Sequence, residues 1–307
     1  MSSVTGRVIS LDRGFPLVKT ASGEVRAQHS IELVKNADKR AVVGDVVDLE
    51  FPLGQDVPLI SAIHPRGHTL VRRSLVESRH TGAGKHEEQI LASNIDIVFV
   101  VCALSNRHVD VAYLERQLVM AHESGADVAI ILTKADLAKH LDEDLVAVSA
   151  CAFESPVIVS SAVTGTGLLG VLALVKSGRT GVLLGRSGVG KSTLINELLG
   201  APLLETGAVR GKDRAGRHIT VARKMVFLEG AGALIDTPGL RSIGLYDACR
   251  GLAATFPDIG GYAARCRYRD CTHTGEPGCA VVAAVEKGTL PADRVTSYVT
   301  IAAEVND

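Results

Sequence analysis

A glycine-rich segment of this chain has the residue types and spacing of a phosphate-binding loop. Residues 185–192 read Gly-Arg-Ser-Gly-Val-Gly-Lys-Ser, which fits the pattern G-x-x-x-x-G-K-[ST]. An apolar run at 182–184 precedes the segment and an amphipathic run at 193–199 follows it, so strand, loop and helix come in the required order. Glycines let backbone N–H groups face phosphate oxygens, and the helix N-terminus adds partial positive charge. The alternative is a glycine-rich turn that binds nothing.

The pattern gives its last two residues distinct roles. Lys191 is expected to reach the outer phosphates and to act in catalysis, and Ser192 is expected to ligate Mg²⁺. The residues predicted to contact phosphate are Gly185, Arg186, Ser187, Gly188, Val189, Gly190, Lys191, Ser192 and Thr193.

A second strand end carries a carboxylate. Asp236-Thr237-Pro238-Gly239 follows the apolar run 233–235. A carboxylate in that place can hold Mg²⁺ through water, and the Gly239 N–H can sense the terminal phosphate. A simple strand-ending turn would account for the proline and glycine, but it would leave a buried Asp236 as a coincidence.

Two further strand ends carry residues that suit a guanine base. Thr133-Lys134-Ala135-Asp136 follows the apolar run 128–132, and Ser160-Ser161-Ala162 follows another strand. The Asp136 carboxylate can accept hydrogen bonds from guanine N1–H and its exocyclic amine, a pair that adenine lacks. The Lys134 stem can lie along the base, and a backbone N–H at Ser161 or Ala162 can meet the guanine oxygen. The predicted ligand is therefore GTP or GDP with Mg²⁺.

The order of these motifs along the chain is unusual. The guanine-binding elements precede the phosphate-binding loop, whereas ordinary GTPases begin with that loop. A compact domain with neighbouring termini tolerates such a circular permutation, because the same contacts form whichever connection is cut.

A cysteine-rich segment near the C-terminus has metal-ligand spacing. Three thiols and one imidazole fill a tetrahedral zinc shell and leave no open position, which indicates a structural ion; the alternative is a chance cluster. The predicted ligands are Cys266, Cys271, His273 and Cys279. Arg265, Arg267 and Arg269 alternate with Cys266 and Tyr268, which forms a basic face suited to an RNA backbone.

Composition limits the other classes of function. The 307 residues carry a formal net charge of −1, so any nucleic-acid surface has to be a local patch. Residues 1–10 lack the pattern of a signal peptide, and the apolar runs are shorter than the roughly 20 residues of a membrane span. These observations predict a cytoplasmic protein that does not contact membranes. In a reducing compartment Cys102, Cys151 and Cys249 are expected to be buried thiols without disulfides.

The hydrophobic pattern predicts a multi-domain α/β protein. Residues 1–70 read as five short strands (4–10, 15–20, 24–28, 45–51 and 57–63) of an oligonucleotide-binding-type (OB-type) β-barrel. That fold often binds RNA. Basic and acidic residues number eight each over residues 1–70, however, so a barrel with a purely structural role is an open alternative. Residues 71–89 read as a linker, either solvated or in contact with phosphates.

From residue 95 onward, apolar runs alternate with amphipathic stretches. This alternation predicts a domain with a doubly wound parallel sheet over residues 71–244. A helical zinc-binding domain is expected to follow it over residues 245–307. Strands are expected at 95–103, 127–133, 156–160, 180–185, 219–229 and 231–236, and helices at 111–124, 280–287 and 293–304.

Together these motifs resemble the RsgA family of circularly permuted GTPases, and the resemblance covers almost the full length. The residues that carry it are the phosphate-binding loop, Asp236 to Gly239, Gly216-Arg217-His218 and the zinc spacing. It implies GTP hydrolysis stimulated by the small ribosomal subunit, a role in late maturation of that subunit, and contacts with its rRNA from the barrel and the zinc domain. Relatives among other permuted ribosome-assembly GTPases are the alternative. Monomer is the default state.

The chain departs from the family pattern in two places. Thr133 stands where the guanine motif usually has Asn, so affinity is expected to be weaker while Asp136 retains base choice. Ile219 interrupts the usual Gly-Arg-His-Thr-Thr, which places the magnesium-sensing threonine at Thr220.

The residue that positions the attacking water is a separate question. Leu240 stands where ordinary small GTPases place a glutamine, so the resemblance points to His218. A His218 that only touches RNA is the alternative. Two other functions stay open at this point, an RNA-binding placeholder stabilised by nucleotide and an ATP-dependent nucleic-acid enzyme.

Overall fold

The structure is a computed structural model that describes residues 3–12, 15–34, 40–77, 84–202, 204, 223–237, 244–245 and 247–306. The strands are β1 (Val4–Asp12), β2 (Phe15–Thr20), β3 (Gly23–Arg26), β4 (Gln28–His29), β5 (Val46–Glu50), β6 (Leu59–Ile63), β7 (Thr69–Glu77), β8 (Gly84–Ser93), β9 (Ile97–Ala103), β10 (Asp127–Thr133), β11 (Val157–Val159), β12 (Thr180–Leu184), β13 (Lys224–Phe227) and β14 (Ala233–Asp236). The helices are α1 (Ile31–Val34), α2 (Val111–Glu123), α3 (Leu141–Ala152), α4 (Leu168–Leu174), α5 (Lys191–Leu199), α6 (Cys249–Thr255), α7 (Pro257–Ala263), α8 (Ala280–Glu286) and α9 (Ala292–Asn306).

The first six strands form a small β-structure around a core of its own. β1 pairs with β2 and β5, and β5 pairs with β6, all antiparallel. Alternate residues of these strands point inward and are buried, because successive side chains of a strand face opposite sides. The expected strand 24–28 is divided at Ala27 into β3 and β4, and the short helix α1 follows it.

The central part is a parallel sheet in the order β11, β10, β9, β12, β14, with β13 added antiparallel to β14. β9 is buried on both faces. Val98, Val100 and Cys102 pack in the core that includes α2, whereas Phe99 and Val101 pack in a second core with residues of α4 and α5. Helices on both faces of a parallel sheet confirm the doubly wound architecture, and the fold class predicted from the sequence is confirmed with it.

The barrel and the central sheet are joined edge to edge. Ser10 of β1 pairs with Lys224 of β13, so one sheet of twelve strands runs through both parts. Sequence reasoning treated the barrel as separate and did not predict this pairing. The domain limits at residues 70 and 244 stay a prediction.

The expectation of a linker at residues 71–89 is wrong. β7 and β8 form an antiparallel hairpin with Arg72 opposite Gln89, interrupted by a bulge beside Leu70. Leu70, Leu91 and Ala92 are fully buried at its base, which anchors the hairpin to the core. Charged residues along the strands concealed the period-two pattern, and residues 78–83, which connect the strands, lie outside the described residues.

The C-terminal part is helical, as expected, and packs against α2 through α6 and α9. All six cysteines are free. Cys102 and Cys151 are buried as expected, but Cys249 is exposed, because the first residue of α6 faces away from the core. Within the described ranges, no helix combines the length and apolar character that crossing a bilayer requires.

Candidate nucleotide-binding and metal sites

The glycine-rich loop lies between β12 and α5, at the carboxyl end of the central sheet. Gly185 packs so closely that a Cβ there would lie 2.5 Å from the carbonyl oxygen of Val101 on β9. Gly190 has a φ of +99°, in the region that favours glycine, and directly precedes the first turn of α5. Both glycines are therefore required by the backbone path that aims the loop at a ligand.

Lys191 is folded onto this loop. Its Nζ donates hydrogen bonds to the carbonyl oxygens of Gly185 (2.8 Å) and Arg186 (3.0 Å), and the side chain is buried. Burial lowers the pKa of the Lys191 ammonium, and the nearby Asp236 carboxylate opposes this shift. The cation is therefore held among backbone carbonyls, where anionic phosphate oxygens would be stronger partners.

Ser192 and Asp236 form a pair beside the loop. The Ser192 hydroxyl donates to Asp236 Oδ2 at 2.8 Å, although 44 residues separate them in sequence. Asp236 is buried as expected, and its Oδ1 accepts no hydrogen bond from any residue in the described part of the chain. A hydroxyl and a buried carboxylate with a spare oxygen are the hard oxygen ligands that Mg²⁺ takes, so the residues present fit that ion.

The guanine motif is attached directly to the phosphate-binding loop. The Thr133 hydroxyl lies 2.5 Å from the Val189 carbonyl oxygen and 3.2 Å from that of Cys102, and it donates its proton to one of them at a time. Lys134 Nζ donates to the Gly188 carbonyl oxygen at 2.7 Å. The residue that replaces the usual Asn therefore still joins the base-binding and phosphate-binding segments.

The end of β11 completes this side of the site. The Ser161 hydroxyl donates to Asp136 Oδ1 at 2.5 Å, and the Ser160 carbonyl oxygen accepts from the Ala135 N–H at 3.1 Å. Asp136 and Ala162 are accessible beside this buried serine pair. The structure thus brings the expected guanine-binding residues to one place at the carboxyl end of β10 and β11.

Sequence reasoning missed the anchor of the loop on α2. The Arg186 guanidinium lies 3.6 Å from the centre of the Tyr113 ring and 3.3 Å from Asp110 Oδ2. Asp110 also caps α2 by accepting from the Tyr113 N–H. An N-cap aspartate is visible in sequence, but its second partner 76 residues away is not.

Three of the predicted site residues cannot be placed. His218, Thr220 and Gly239 lie outside the described residues, as do the neighbouring Gly216, Arg217 and Leu240.

The cysteine-rich segment forms a compact tetrad. The ligand atoms of Cys266, Cys271, His273 and Cys279 all lie within 4.8 Å of one another. His273 Nδ1 is 3.6 Å from Cys266 Sγ and 3.5 Å from Cys279 Sγ, and the two sulfurs are 3.9 Å apart. Zn–S bonds of ~2.3 Å and Zn–N bonds of ~2.0–2.1 Å at tetrahedral angles give separations of ~3.6 Å for S–N and ~3.8 Å for S–S. The cluster therefore fits zinc.

Backbone donors favour the thiolate form of Cys266, whereas burial and the neighbouring thiols raise the pKa of the metal-free Cys271 thiol to about 12. Two backbone N–H groups at the start of α8 donate to cysteine sulfurs. The N–H of Ala280 lies 3.4 Å from Cys266 Sγ, and the N–H of Val282 lies 3.4 Å from Cys279 Sγ. Burial by itself would raise the pKa of the Cys266 thiol, but N–H donors from Ala280 and Val281 leave it below its usual value. Burial also lowers the pKa of His273, which favours the neutral imidazole that a metal requires.

Three arginines beside the tetrad are exposed. Arg265 stacks over Tyr262 with its guanidinium 4.5 Å from the ring centre, and Arg267 lies 5.5 Å from that of Tyr268. Arg269 is exposed next to them. Tyr262 is half-buried, whereas Tyr268 is exposed, so the three guanidinium groups offer charge and Tyr268 offers a stacking surface to a nucleic-acid strand.

Comparison with known protein families gives a match over most of the chain. The family model described as RsgA GTPase matches residues 63–246. The chain is 42% identical over 301 residues to the small ribosomal subunit biogenesis GTPase RsgA of Streptomyces avermitilis, covering 96% of this chain and 78% of that protein. It is 40% identical over 298 residues to the protein named small ribosomal subunit biogenesis GTPase RsgA 2 in Lactiplantibacillus plantarum, covering 96% and 81%.

Solved structures show the same fold. YjeQ from Thermotoga maritima superposes with a TM-score of 0.70 at 21% identity, over 98% of this chain and 97% of that one. YloQ, described as a circularly permuted GTPase, gives 0.65 at 23% identity, over 99% and 95%. At these identities the two structures support the architecture alone.

Proposed function

Because the chain belongs to the RsgA GTPase family, we propose that it binds the small ribosomal subunit and hydrolyses GTP to GDP and phosphate during late maturation of that subunit. The observation that carries this proposal is the junction of three motifs at one edge of the sheet. Thr133 and Lys134 of the guanine motif contact the phosphate-binding loop, and Ser192 of that loop contacts Asp236. One ligand with a guanine base at one end and phosphates at the other would span these contacts.

The proposed roles follow from the contacts of each side chain. Lys191 exchanges the carbonyl oxygens of Gly185 and Arg186 for phosphate oxygens, which are charged and therefore stronger acceptors. Asp136 accepts from the guanine N1–H and exocyclic amine, and a backbone N–H at Ser161 or Ala162 meets the guanine oxygen. Base choice then rests on Asp136, and phosphate binding on the loop.

Two kinds of metal ion belong to this proposal. Ser192 and Asp236, with Thr220 from the sequence pattern, would hold Mg²⁺, which neutralises charge that develops on the phosphates. Cys266, Cys271, His273 and Cys279 would hold one structural zinc ion, since four protein ligands leave no open position.

The slow step of the proposed cycle is the positioning of water. Leu240 cannot orient a water molecule, so turnover of the isolated protein should be slow. We assign that task to His218, in a segment 207–224 that holds six Lys or Arg against one Asp. Contact with rRNA would order this basic segment, complete the site and trigger hydrolysis.

The proposed RNA contacts come from both ends of the chain. The exposed arginines at 265, 267 and 269 support an RNA-facing surface on the helical part. The barrel is proposed as the second contact, on the family resemblance.

The test is steady-state phosphate release from GTP and from ATP, each with and without purified small ribosomal subunits. We expect a slow rate with GTP alone that rises by orders of magnitude with the subunit, and no comparable rate with ATP. Lys191→Ala is the control for contaminating hydrolases. A GTP rate that the subunit does not change would turn the proposal toward an RNA-binding placeholder, and equal rates with ATP would reject the guanine assignment.

The role of His218 has its own experiment. His218→Ala should keep GTP affinity and subunit binding while it abolishes the stimulated rate. Normal stimulated turnover in this variant would leave His218 as an RNA contact only.

A further inference from the structure

A second group of metal-ligating side chains lies in the segments that follow β9 and β10, far in sequence from the cysteine tetrad. His108 comes from the connection between β9 and α2, whereas His140 and Glu143 lie at the start of α3. One ligand atom from each of the three residues lies within 4.8 Å of the other two. We propose that His108, His140 and Glu143 form an exchangeable site for a transition-metal ion of the zinc class, with Asp144 as a positioning residue.

The distances between the ligand atoms are longer than those of hydrogen bonds and close to those around a metal ion. Glu143 Oε2 lies 3.6 Å from His108 Nε2 and 3.5 Å from His140 Nδ1. Both separations exceed the ~2.7–3.2 Å of a good N–H···O hydrogen bond. Ligands ~2.0–2.1 Å from a tetrahedral zinc ion are ~3.3–3.4 Å apart, which differs from the observed separations by only a few tenths of an ångström. One ion of this size therefore fits between the three ligand atoms with small adjustments of the side chains.

The two imidazoles are arranged side by side. Their ring centres are 4.3 Å apart and the planes are inclined by 37°. One ring nitrogen from each histidine lies within 4.8 Å of the other, which is close enough for both to bind one cation.

A buried carboxylate fixes one of these rings. Asp144 is 2% exposed, and its Oδ1 lies 3.2 Å from His108 Nδ1 and accepts from the Val109 N–H at 3.0 Å. With the proton on Nδ1, the His108 Nε2 lone pair is free on the side that faces Glu143. A carboxylate that holds the second nitrogen of a histidine ligand is the usual support of a metal-bound imidazole.

The remaining oxygen of Asp144 adds to this argument. Oδ2 is buried and accepts no hydrogen bond from the described residues. A buried carboxylate with one unpaired oxygen places negative charge behind the cluster, and a nearby cation would compensate for it.

The ligand set selects the class of ion. Two imidazoles and one carboxylate suit Zn²⁺, Co²⁺, Ni²⁺ or Cu²⁺, whereas Mg²⁺ and Ca²⁺ prefer a full set of oxygens. The three side chains are half-exposed or exposed, so the fourth position faces solvent and the ion can exchange. In this respect the site differs from the cysteine tetrad, whose four ligands close the shell.

The position of the site gives it a consequence for the nucleotide end of the sheet. The Lys139 N–H donates to the Ser105 carbonyl oxygen at 3.1 Å, so the two connections already touch. A bound ion would tie the connection that leads to Asp110, which holds Arg186 of the phosphate-binding loop, to the one that follows Asp136.

Cobalt binding to the full-length protein tests the site. Co²⁺ at a thiolate site gives sulfur-to-metal charge-transfer absorption, whereas a site of nitrogen and oxygen ligands gives only weaker visible bands. We titrate metal-free protein with Co²⁺ in the presence of a large excess of Mg²⁺, which occupies sites made of oxygen ligands. The wild type should bind two ions, one with and one without the charge-transfer band.

The variants decide the assignment. His108→Ala combined with His140→Ala should lose the second ion and keep the charge-transfer band, which also reports that the chain is folded. His68→Ala, at an exposed histidine elsewhere, should still bind two ions. Asp144→Asn should weaken the second ion about 10–100-fold.

Three outcomes would overturn the proposal or a part of it. Saturation of the wild type at one thiolate-bound ion, or a double variant that still binds two ions, would reject the site. Unchanged affinity in Asp144→Asn would reject the positioning role. None of these measurements involves GTP or ribosomal subunits, so their result is independent of the proposed function.

Discussion

The phosphate-binding loop and the cysteine-rich segment are held in shape by different interactions. The loop follows β12, in which every residue is buried, and it is anchored to three neighbouring elements through Val101, Thr133 and Tyr113. Residues 264–279, in contrast, contain no helix or strand, and only His273 and Cys279 among them are buried. Packing against the sheet determines the conformation of the loop, whereas the four metal-ligating side chains determine the conformation of the cysteine-rich segment.

This difference separates ligand binding from folding. A site positioned by a buried sheet keeps its shape without its ligand, so substitutions there should affect binding. A segment with little apolar burial depends on its metal for stability, since binding free energy then appears as folding free energy. The tetrad should therefore be the more fragile region even though its residues are the easier ones to recognise.

Loss of zinc should produce the largest effect. In peptides, structural zinc contributes about 10–16 kcal/mol of apparent binding free energy at neutral pH. Cys279→Ser, or treatment with a strong chelator, should abolish zinc binding and expose the amides of residues 264–279 to hydrogen exchange. The amides of β9, β10 and β12 should stay protected, because their core lies in the sheet. Zinc analysis and hydrogen-exchange mass spectrometry measure both effects.

Cys249→Ser is the matched control for this substitution. Cys249 is exposed on α6 and belongs to no cluster of ligands among the residues that the structure describes, so zinc content and exchange should match the wild type. Retention of protection at 264–279 in the metal-free protein would mean that packing alone orders the segment, and the contrast with the phosphate-binding loop would disappear.

A buried ion pair joins the helical part to the sheet and should give the next largest effect. Arg294 of α9 donates to Glu115 of α2 at 2.6 Å and to Asp258 of α7 at 2.5 Å. Both Arg294 and Glu115 are less than 9% exposed. Arg294→Met should lower the free energy of unfolding by about 3–5 kcal/mol, because it leaves a buried carboxylate without its cation. Urea denaturation followed by circular dichroism measures the loss.

Two further variants separate charge from packing at this junction. Glu115→Gln added to Arg294→Met removes the orphaned charge and should recover much of the lost stability. Arg116→Met removes the neighbouring pair with Glu304, which is one-third exposed, and should cost less than about 1 kcal/mol. Equal losses from Arg294→Met and Arg116→Met would show that burial does not decide the strength of this junction.

Sequence patterns predicted the parts that depend on local spacing. β2 and β10 have the bounds expected from their apolar patterns, and the phosphate-binding loop follows its strand as expected. The cysteine spacing likewise predicts a tetrad that the structure brings together. In each case the residues that matter are close in sequence, or their chemistry is rare enough to identify them.

The parts that sequence reasoning missed depend on distant partners. The pairing of Ser10 with Lys224 and the bond between Arg294 and Glu115 join residues more than 170 positions apart, and neither partner has a local signal. The hairpin of β7 and β8 was missed because its strands are rich in charge. His108 and His140 are 32 positions apart in sequence, so only the fold reveals that their rings lie next to each other.

The smallest expected effect concerns Thr133, where the loop and the guanine motif meet. Thr133→Val keeps the shape of the side chain and removes the hydroxyl that serves the Val189 carbonyl oxygen. A neutral hydrogen bond contributes about 0.5–1.5 kcal/mol, so GDP affinity should fall about fivefold, measured by calorimetry. Thr133→Ser, which keeps the hydroxyl, should match the wild type.

The same position also allows the opposite change. Thr133→Asn introduces an amide that can donate to the Val189 carbonyl oxygen and still accept through its own oxygen, so it should strengthen GDP binding rather than weaken it. Base choice should not change, because Asp136 alone faces the guanine N1–H in the proposed site. Thr133 would then affect only the hydrogen bond that joins the guanine motif to the phosphate-binding loop. A change in preference between GDP and ADP in either variant would mean that Thr133 contacts the base itself.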